Sequence, residues 1–224
     1  MKSIKSVLIL FALIMAVSTV WAKKNLPAVN ADGMELVKNT RLTTVYADPG
    51  VDLSAYTQIM LADISVSFRK NWKRDQNSIS RGRAIKVKDS DMERIKERLA
   101  ADFRAIFMLD LQAGGYQMVD SPGKSVLIIK PTIVDLDVVT PYIKGPSRSV
   151  SYSDSAGEMT LKLELFDSIT NDKIVIIRDR KKDFGHGSAS WWTSDNVEDA
   201  HRIITAWANA LRQGLDEARG SLKQ

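Results

Sequence analysis

Between Ser155 and Lys173 the chain reads SAGEMTLKLELFDSITNDK, and this stretch restricts the fold more than any other. Met159, Leu161, Leu163 and Leu165 alternate with Thr160, Lys162, Glu164 and Phe166. That period of two belongs to a strand with one face buried and the other in water. Thr170-Asn171-Asp172 has turn composition, and Ile174-Val175-Ile176-Ile177 within Lys173 to Asp179 supplies a returning strand, so a hairpin is expected. A sheet with one apolar face needs a cover.

Two amphipathic helices provide it. Ser90-Asp91-Met92-Glu93 has capping-box spacing, the serine hydroxyl reaching the third amide and the glutamate reaching back. From there Met92, Ile95, Leu99, Phe103, Ile106 and Phe107 recur at three and four, and Gly114-Gly115 stops the helix. Near the C-terminus Ser194 or Asp195 caps a second helix with the stripe Val197, Ala200, Ile204, Trp207, Leu211 and Leu215. Gln58 to Phe68 reads as a strand with an irregularity near Ala62-Asp63, and Tyr116 to Val119 as a short one. Ser125 to Thr140 reads as a long strand bent or bulged near Pro131, since proline donates nothing to a central ladder. This order predicts an α+β fold: a mostly antiparallel sheet of about five strands with two amphipathic helices packed on one face.

Lys2 and Lys5 precede an apolar run from Val7 to Val20, and Val20-Trp21-Ala22 offers small and β-branched residues where a leader is cut. The pattern predicts a signal peptide over 1–22 and export to the periplasm. The run is shorter than the ~20 residues of a spanning helix, so an uncleaved inner-membrane anchor is the lesser alternative. Residues 23–42 are polar with scattered apolar positions and read as a flexible arm, leaving 43–224 as a single domain. With no cysteine in the chain, a disulfide framework, a thiolate metal site and a lipid-modified cysteine are all excluded. The formal charge of +5 includes Lys2 and Lys5, and the leader holds no acid, so the processed chain carries +3. So mild an excess on an exported protein predicts no nucleic-acid partner.

The basic residues are unevenly placed. Arg69, Lys70, Lys73, Arg74, Arg81, Arg83, Lys86 and Lys88 fall in one segment in which Asp75 is the sole acid before Asp89, and the segment reads as a solvated loop. Trp72 lies in it, and Trp191-Trp192 lies in a second loop, GHGSASWW. Tryptophans in loops stack on sugars, insert at membrane interfaces or anchor protein partners, whereas a buried one packs as a staple at a helix start. The candidate contact residues are therefore Arg69, Lys70, Trp72, Lys73, Arg74 and Trp192. Asp135 and Asp137 stand two apart on a strand and share a face, the arrangement of an acid–base or cation-binding pair, although a calcium ion takes roughly six oxygens. His186 and His201, with Asp195, make a formal three-ligand metal set whose spacing matches no short metal motif. Ser188 lacks the strand-turn-helix elbow of a serine hydrolase, and no glycine pattern cradles phosphate.

Several runs together carry a likeness. They are Tyr46-x-x-Pro49-Gly50-x-Asp52-Leu53-Ser54-x-Tyr56, Val66-x-Phe68-Arg69-x-x-Trp72, Pro131-x-Ile133-x-Asp135-Leu136-Asp137, Ser155-Ala156-Gly157-Glu158-Met159-Thr160-Leu161, Asp167-Ser168-x-Thr170 and Trp207-Ala208-x-x-Leu211-Arg212. From about Tyr46 to Ala218 the chain resembles the bacterial exported proteins and lipoproteins known as domain of unknown function 3313. The resemblance implies a Gram-negative envelope protein and brings no activity, catalytic residue or cofactor. Many relatives look like lipoproteins, and this chain departs from them in lacking the cysteine. The expectation is a non-enzymatic periplasmic domain for binding or assembly, with an envelope protein, an anionic lipid or a cell-wall polymer as partner. A metal-assisted hydrolase, or a structural subunit of an envelope complex, is the alternative.

Overall fold

The expected hairpin lies in the middle of one sheet. In the computed structural model, which describes residues 26–79, 86–138, 157–183 and 195–220, the elements in chain order begin with β1 (Glu35–Leu36), β2 (Thr44–Ala47), a 3₁₀ turn (Leu53–Ala55), β3 (Gln58–Leu61), β4 (Ser65–Phe68) and α1 (Trp72–Ile79). They continue with α2 (Asp89–Ala113), β5 (Gln117–Met118), β6 (Val126–Val138), β7 (Gly157–Asp167), β8 (Lys173–Asp183) and α3 (Asp195–Gly220). The strand order is β1-β2-β8-β7-β6-β3-β5, with β4 also pairing with β6.

The fold is α+β, but the sheet is larger and of a different kind than expected. Among the described residues it has eight strands and three α-helices, not five and two. It is also mixed: β3 runs parallel to β5 and β6, and β4 parallel to β6. The cause is α2, which carries the chain from β3 and β4 back over the sheet so that β5 and β6 enter in the same direction. A parallel pair requires such a crossover. The extra helix, α1, lies in the basic segment read as a loop.

Alternation does its expected work on β7. Met159, Leu161, Leu163 and Leu165 are buried in the core, while Lys162 opposite them is exposed. Asp167 shapes the hairpin turn by accepting from the amides of Ile169 and Thr170, each at 2.8 Å, and Asn171 takes the left-handed backbone at φ 58°.

Pro131 sits in β6, a strand paired on both sides. The Ala62 amide donates to Ile129 O at 2.9 Å. In a parallel ladder the next rung would run from the amide of residue 131 to the carbonyl of Ala62. Proline has no such amide. The neighbouring chain breaks there: Leu61 is level with Ile129 and Ser65 with Thr132, so β3 and β4 are separated by one residue more than their partner. The bulge in β6 itself comes later, between Val134 and Asp137.

One sheet face is covered by α2 and α3. Leu99, Phe103, Phe107 and Leu111 of α2 and Ile204, Trp207, Ala208, Leu211 and Leu215 of α3 join the strands in a single core. α2 begins one residue before the expected serine, with Lys88 N donating to Asp91 Oδ2 at 2.9 Å. At its other end, Arg212 of α3 crosses Gly114 to reach Asp110 Oδ2 at 3.1 Å. A Cβ on Gly114 would stand 2.5 Å from Arg212 Cδ, so glycine is needed there for close approach. Upstream, within the stretch expected as an arm, β1 pairs with β2, and Met34 and Leu42 are buried. No helix among the described residues is long and apolar enough to cross a membrane.

Candidate functional site

The basic segment is built into a corner at the end of β4 and β6. Arg69 follows β4 and is tied to β6 by its own amide, which donates to Leu136 O at 3.0 Å. Its guanidinium donates from Nε to Asp137 Oδ2 at 2.6 Å and from Nη1 to Asp75 Oδ2 at 2.7 Å. These charge-assisted bonds, to Asp75 first and Asp137 second, push the Arg69 pKa further up. The Asp75 carboxyl is held below its usual range mainly by the same Arg69 bond. Asn71, at φ 64°, turns the chain into α1, and Asp75 N caps back onto Asn71 O.

Trp72 is not the exposed contact the sequence suggested. It is 1 % exposed, stacks on Phe68 with ring centroids 4.2 Å apart, and donates from Nε1 to Val138 O at 2.9 Å. An indole with its N–H satisfied and its rings covered anchors α1 to the sheet. The reading of the whole segment as a loop is corrected in the same way. α1 is helical, and Asn77 holds the returning chain through Val87 N to Oδ1 at 2.8 Å and Nδ2 to Val87 O at 3.2 Å.

Arg81 and Arg83 lie outside the described residues, and the other basic residues divide into paired and exposed ones. Lys73 Nζ meets Asp89 Oδ1 at 2.8 Å, and Arg74, whose side chain is 72 % exposed, touches Asp75 at 3.2 Å. Lys70 and Lys86 are exposed. The corner thus gathers Arg69, Lys70, Trp72, Lys73 and Arg74, with Arg69 and Trp72 positioning the others.

Other candidates are not brought together. Asp135 and Asp137 lose their shared face because the β6 bulge falls between Val134 and Asp137: Asp135 is exposed at φ 55°, while Asp137 is bound to Arg69. His201 Nε2 lies 3.1 Å from Asp102 Oδ2 on α2. The described residues contain no group of three metal-ligating side chains. His186, Ser188, Trp191 and Trp192 lie outside the described residues, as does the side chain of Asp195. A cavity of about 240 Å³ between α2 and the β3–β4 link is lined by Leu61, Asp63, Ile64, Ala100, Phe103 and Arg104 among others, and its carboxylate, on Asp63, lies 3.6 Å from Arg104 Nη1.

The sequence reading missed Asp179. This carboxylate is 1 % exposed and accepts from Thr43 N at 2.9 Å, from the Thr43 hydroxyl and from Trp207 Nε1 at 2.7 Å, with Lys181 Nζ at 3.3 Å. Its signal was parity, since it falls in step with Val175 and Ile177 on the buried face. Its partners are all structural, and it joins β8 to α3.

A comparison with curated proteins found no match. Among solved structures, the PelC dodecamer from Paraburkholderia phytofirmans is similar at 12 % identity and a TM-score of 0.39, over 75 % of this chain and 96 % of that one. A minor lipoprotein from Acinetobacter baumannii is similar at 10 % identity and a TM-score of 0.33, over 73 % and 95 %. A DUF4136 family protein from Bacteroides thetaiotaomicron is similar at 13 % identity and a TM-score of 0.36, over 76 % and 94 %. These are distant likenesses. The model of the family described as "Protein of unknown function (DUF3313)" matches residues 31–211, most of the sequence, and the chain belongs to that family.

Proposed function

We propose that the chain is a non-enzymatic binding or assembly domain of the bacterial envelope, exported by its leader and working in the periplasm. Its contact surface is the basic corner at α1, and its partner is an anionic envelope component. The observation that carries this reading is the double hold of Arg69 on Asp75 and Asp137, which spends one cation on rigidity and sets out Lys70 and Arg74 on a fixed support. Lys86 is drawn to the same place because Asn77 ties Val87 back to α1. Cations held on a rigid element attract a polyanion without losing much side-chain and loop freedom on binding. Arg69 and Trp72 act as positioning residues, and Lys70, Lys73 and Arg74 meet the partner.

Retention of the protein on membrane and cell-wall fractions at low salt tests the proposal. Changing Lys70, Lys73 and Arg74 together to Ser is expected to weaken retention, with Arg69 left in place so that the corner still folds. Retention equal to that of the unaltered protein would overturn it.

A further inference from the structure

The sheet face turned away from α2 and α3 carries an arrangement that the basic corner does not explain. Register places Thr132, Lys162, Arg178 and Thr44 side by side across β6, β7, β8 and β2. Directly paired residues on adjacent strands share a face, with Cβ atoms about 5 Å apart. Both cations are exposed, whereas Leu161 and Ile177 beside them are buried in the core. Like charges set directly opposite each other destabilise a sheet. The acids on this face are engaged elsewhere: Glu164 by Lys173 at 2.7 Å and Glu158 by Arg180 at 2.5 Å. Lys130 extends the positive field, with its ammonium 4.0 Å from the centroid of the Phe166 ring.

We infer that this face is a docking surface for the anionic headgroups of a phospholipid bilayer, with Lys162 and Arg178 as its central contacts. Of the apolar residues of the face, Ile128, Phe166 and Tyr46 are buried and Val134 and Ile176 half-buried, while Lys130, Lys162, Arg178 and Arg180 are exposed, so charge dominates its outer layer on these four strands. None of the exposed large hydrophobic residues among those described lies on them. That composition lacks the exposed aromatic anchors of a protein hot spot. A charged plane needs neither a groove nor such anchors, since each Lys or Arg near an anionic surface contributes on its own.

The position of the amino-terminal segment favours the same occupant. Tyr46, on this face, donates to Pro27 O at 2.9 Å, and the residues flanking that contact, Leu26 and Val29, are 40 % and 51 % exposed. Apolar side chains beside a cationic row are what an interfacial surface presents to lipid. The apolar run ends at Val20, so about 25 Å of extended chain at most separates it from Pro27. A leader inserted in the bilayer before processing would keep this face within that distance of it.

Vesicle co-sedimentation of the purified full chain tests the inference. Binding to phosphatidylglycerol vesicles is expected to exceed binding to phosphatidylcholine vesicles and to fall with added salt. Changing Lys162 and Arg178 together to Ser is expected to weaken that binding about tenfold or more. Thermal unfolding of this variant should match or exceed that of the unaltered protein, because the opposed charges are gone. Undiminished vesicle binding by the variant overturns the inference, as does equal binding to both vesicle types. Binding to soluble polygalacturonate without binding to vesicles, which would make the occupant a polymer, overturns it as well. The proposal for the α1 corner is read separately, by retention on membrane and cell-wall fractions, with the vesicle binding of a Lys70→Ser, Arg74→Ser variant measured beside it. If that variant loses vesicle binding and the Lys162, Arg178 variant keeps it, this inference falls and the corner stands.

Discussion

Trp207 donates its indole N–H to Asp179 at 2.7 Å, the helix α3 thereby reaching into the sheet to satisfy a carboxylate on β8. Thr43, just before β2, supplies the amide and hydroxyl that complete the anion's shell. One buried charge thus joins an edge-side strand, a central strand and the covering helix. A buried carboxylate is tolerable when it is hydrogen-bonded in this way, and each donor matters because the alternative is an unsatisfied anion. Changing Trp207 to Phe keeps most of the ring and removes the donor. Urea unfolding should show a loss of about 2 kcal/mol, and a loss near zero would mean that the bond contributes no net stability.

Arg69 is expected to act locally. Arg69→Gln removes both ion pairs of the corner while leaving the ladder amide to Leu136 in place. Amide exchange in Trp72 to Ile79 should quicken, while exchange in the middle of α2, around Phe103, stays as it was. Equal quickening in both helices would show that the corner is not a separate unit.

Alkaline pH should destabilise the protein by way of two tyrosines. Burial first, and for Tyr56 also the bond to Asp167, pushes the hydroxyls of Tyr56 and Tyr116 from 10.0 up to about 12. The unfolded chain loses these protons near the ordinary value and the folded chain does not. The stabilisation is therefore complete below pH 10 and lost as pH rises toward about 12. Urea midpoints across that range should fall, and less steeply in Tyr116→Phe. An unchanged slope in that variant would remove Tyr116 from the account.

Gly114→Ala is expected to destabilise by about 1 kcal/mol, although its backbone, at φ −77°, suits alanine. The cost comes from Arg212, whose Cδ occupies the place of the new methyl group. In an Arg212→Ala background the same change should be neutral or favourable, which a double-mutant cycle measures directly. Equal costs in both backgrounds would locate the strain elsewhere.

What the sequence showed clearly was periodicity. The β7 alternation and the stripes of α2 and α3 placed Leu161, Leu163, Phe103, Phe107 and Leu211 in the core, and all are buried there. What it hid was relation. Nothing local to Gln58 to Phe68 says whether it runs along or against β6; that direction is set by the crossover through α2, which is a property of the whole chain. α1 was hidden for a different reason. Its sequence WKRDQNSI is polar apart from its ends, and its one large buried anchor, Trp72, acts through a carbonyl 66 residues away. Asp179 was hidden because a charged residue in a run of Ile and Val was read with its neighbours rather than by its face. The corner's chemistry could be guessed from charge density, but its division into holding residues and free ones depends on Asp137, which the sequence placed in a different candidate pair.

Pro131 has a bearing on how this chain can change. Where β6 has no hydrogen to give, the link between Ala62 and Ile64 carries one more residue than its neighbour spans. Deleting that residue would bring β3 and β4 into step and leave a carbonyl facing the ring. An added residue there meets no rung that it must break. The proline therefore marks a place where an added residue is expected to be accommodated beside a long strand, at a link whose Asp63 already stands fully in solvent.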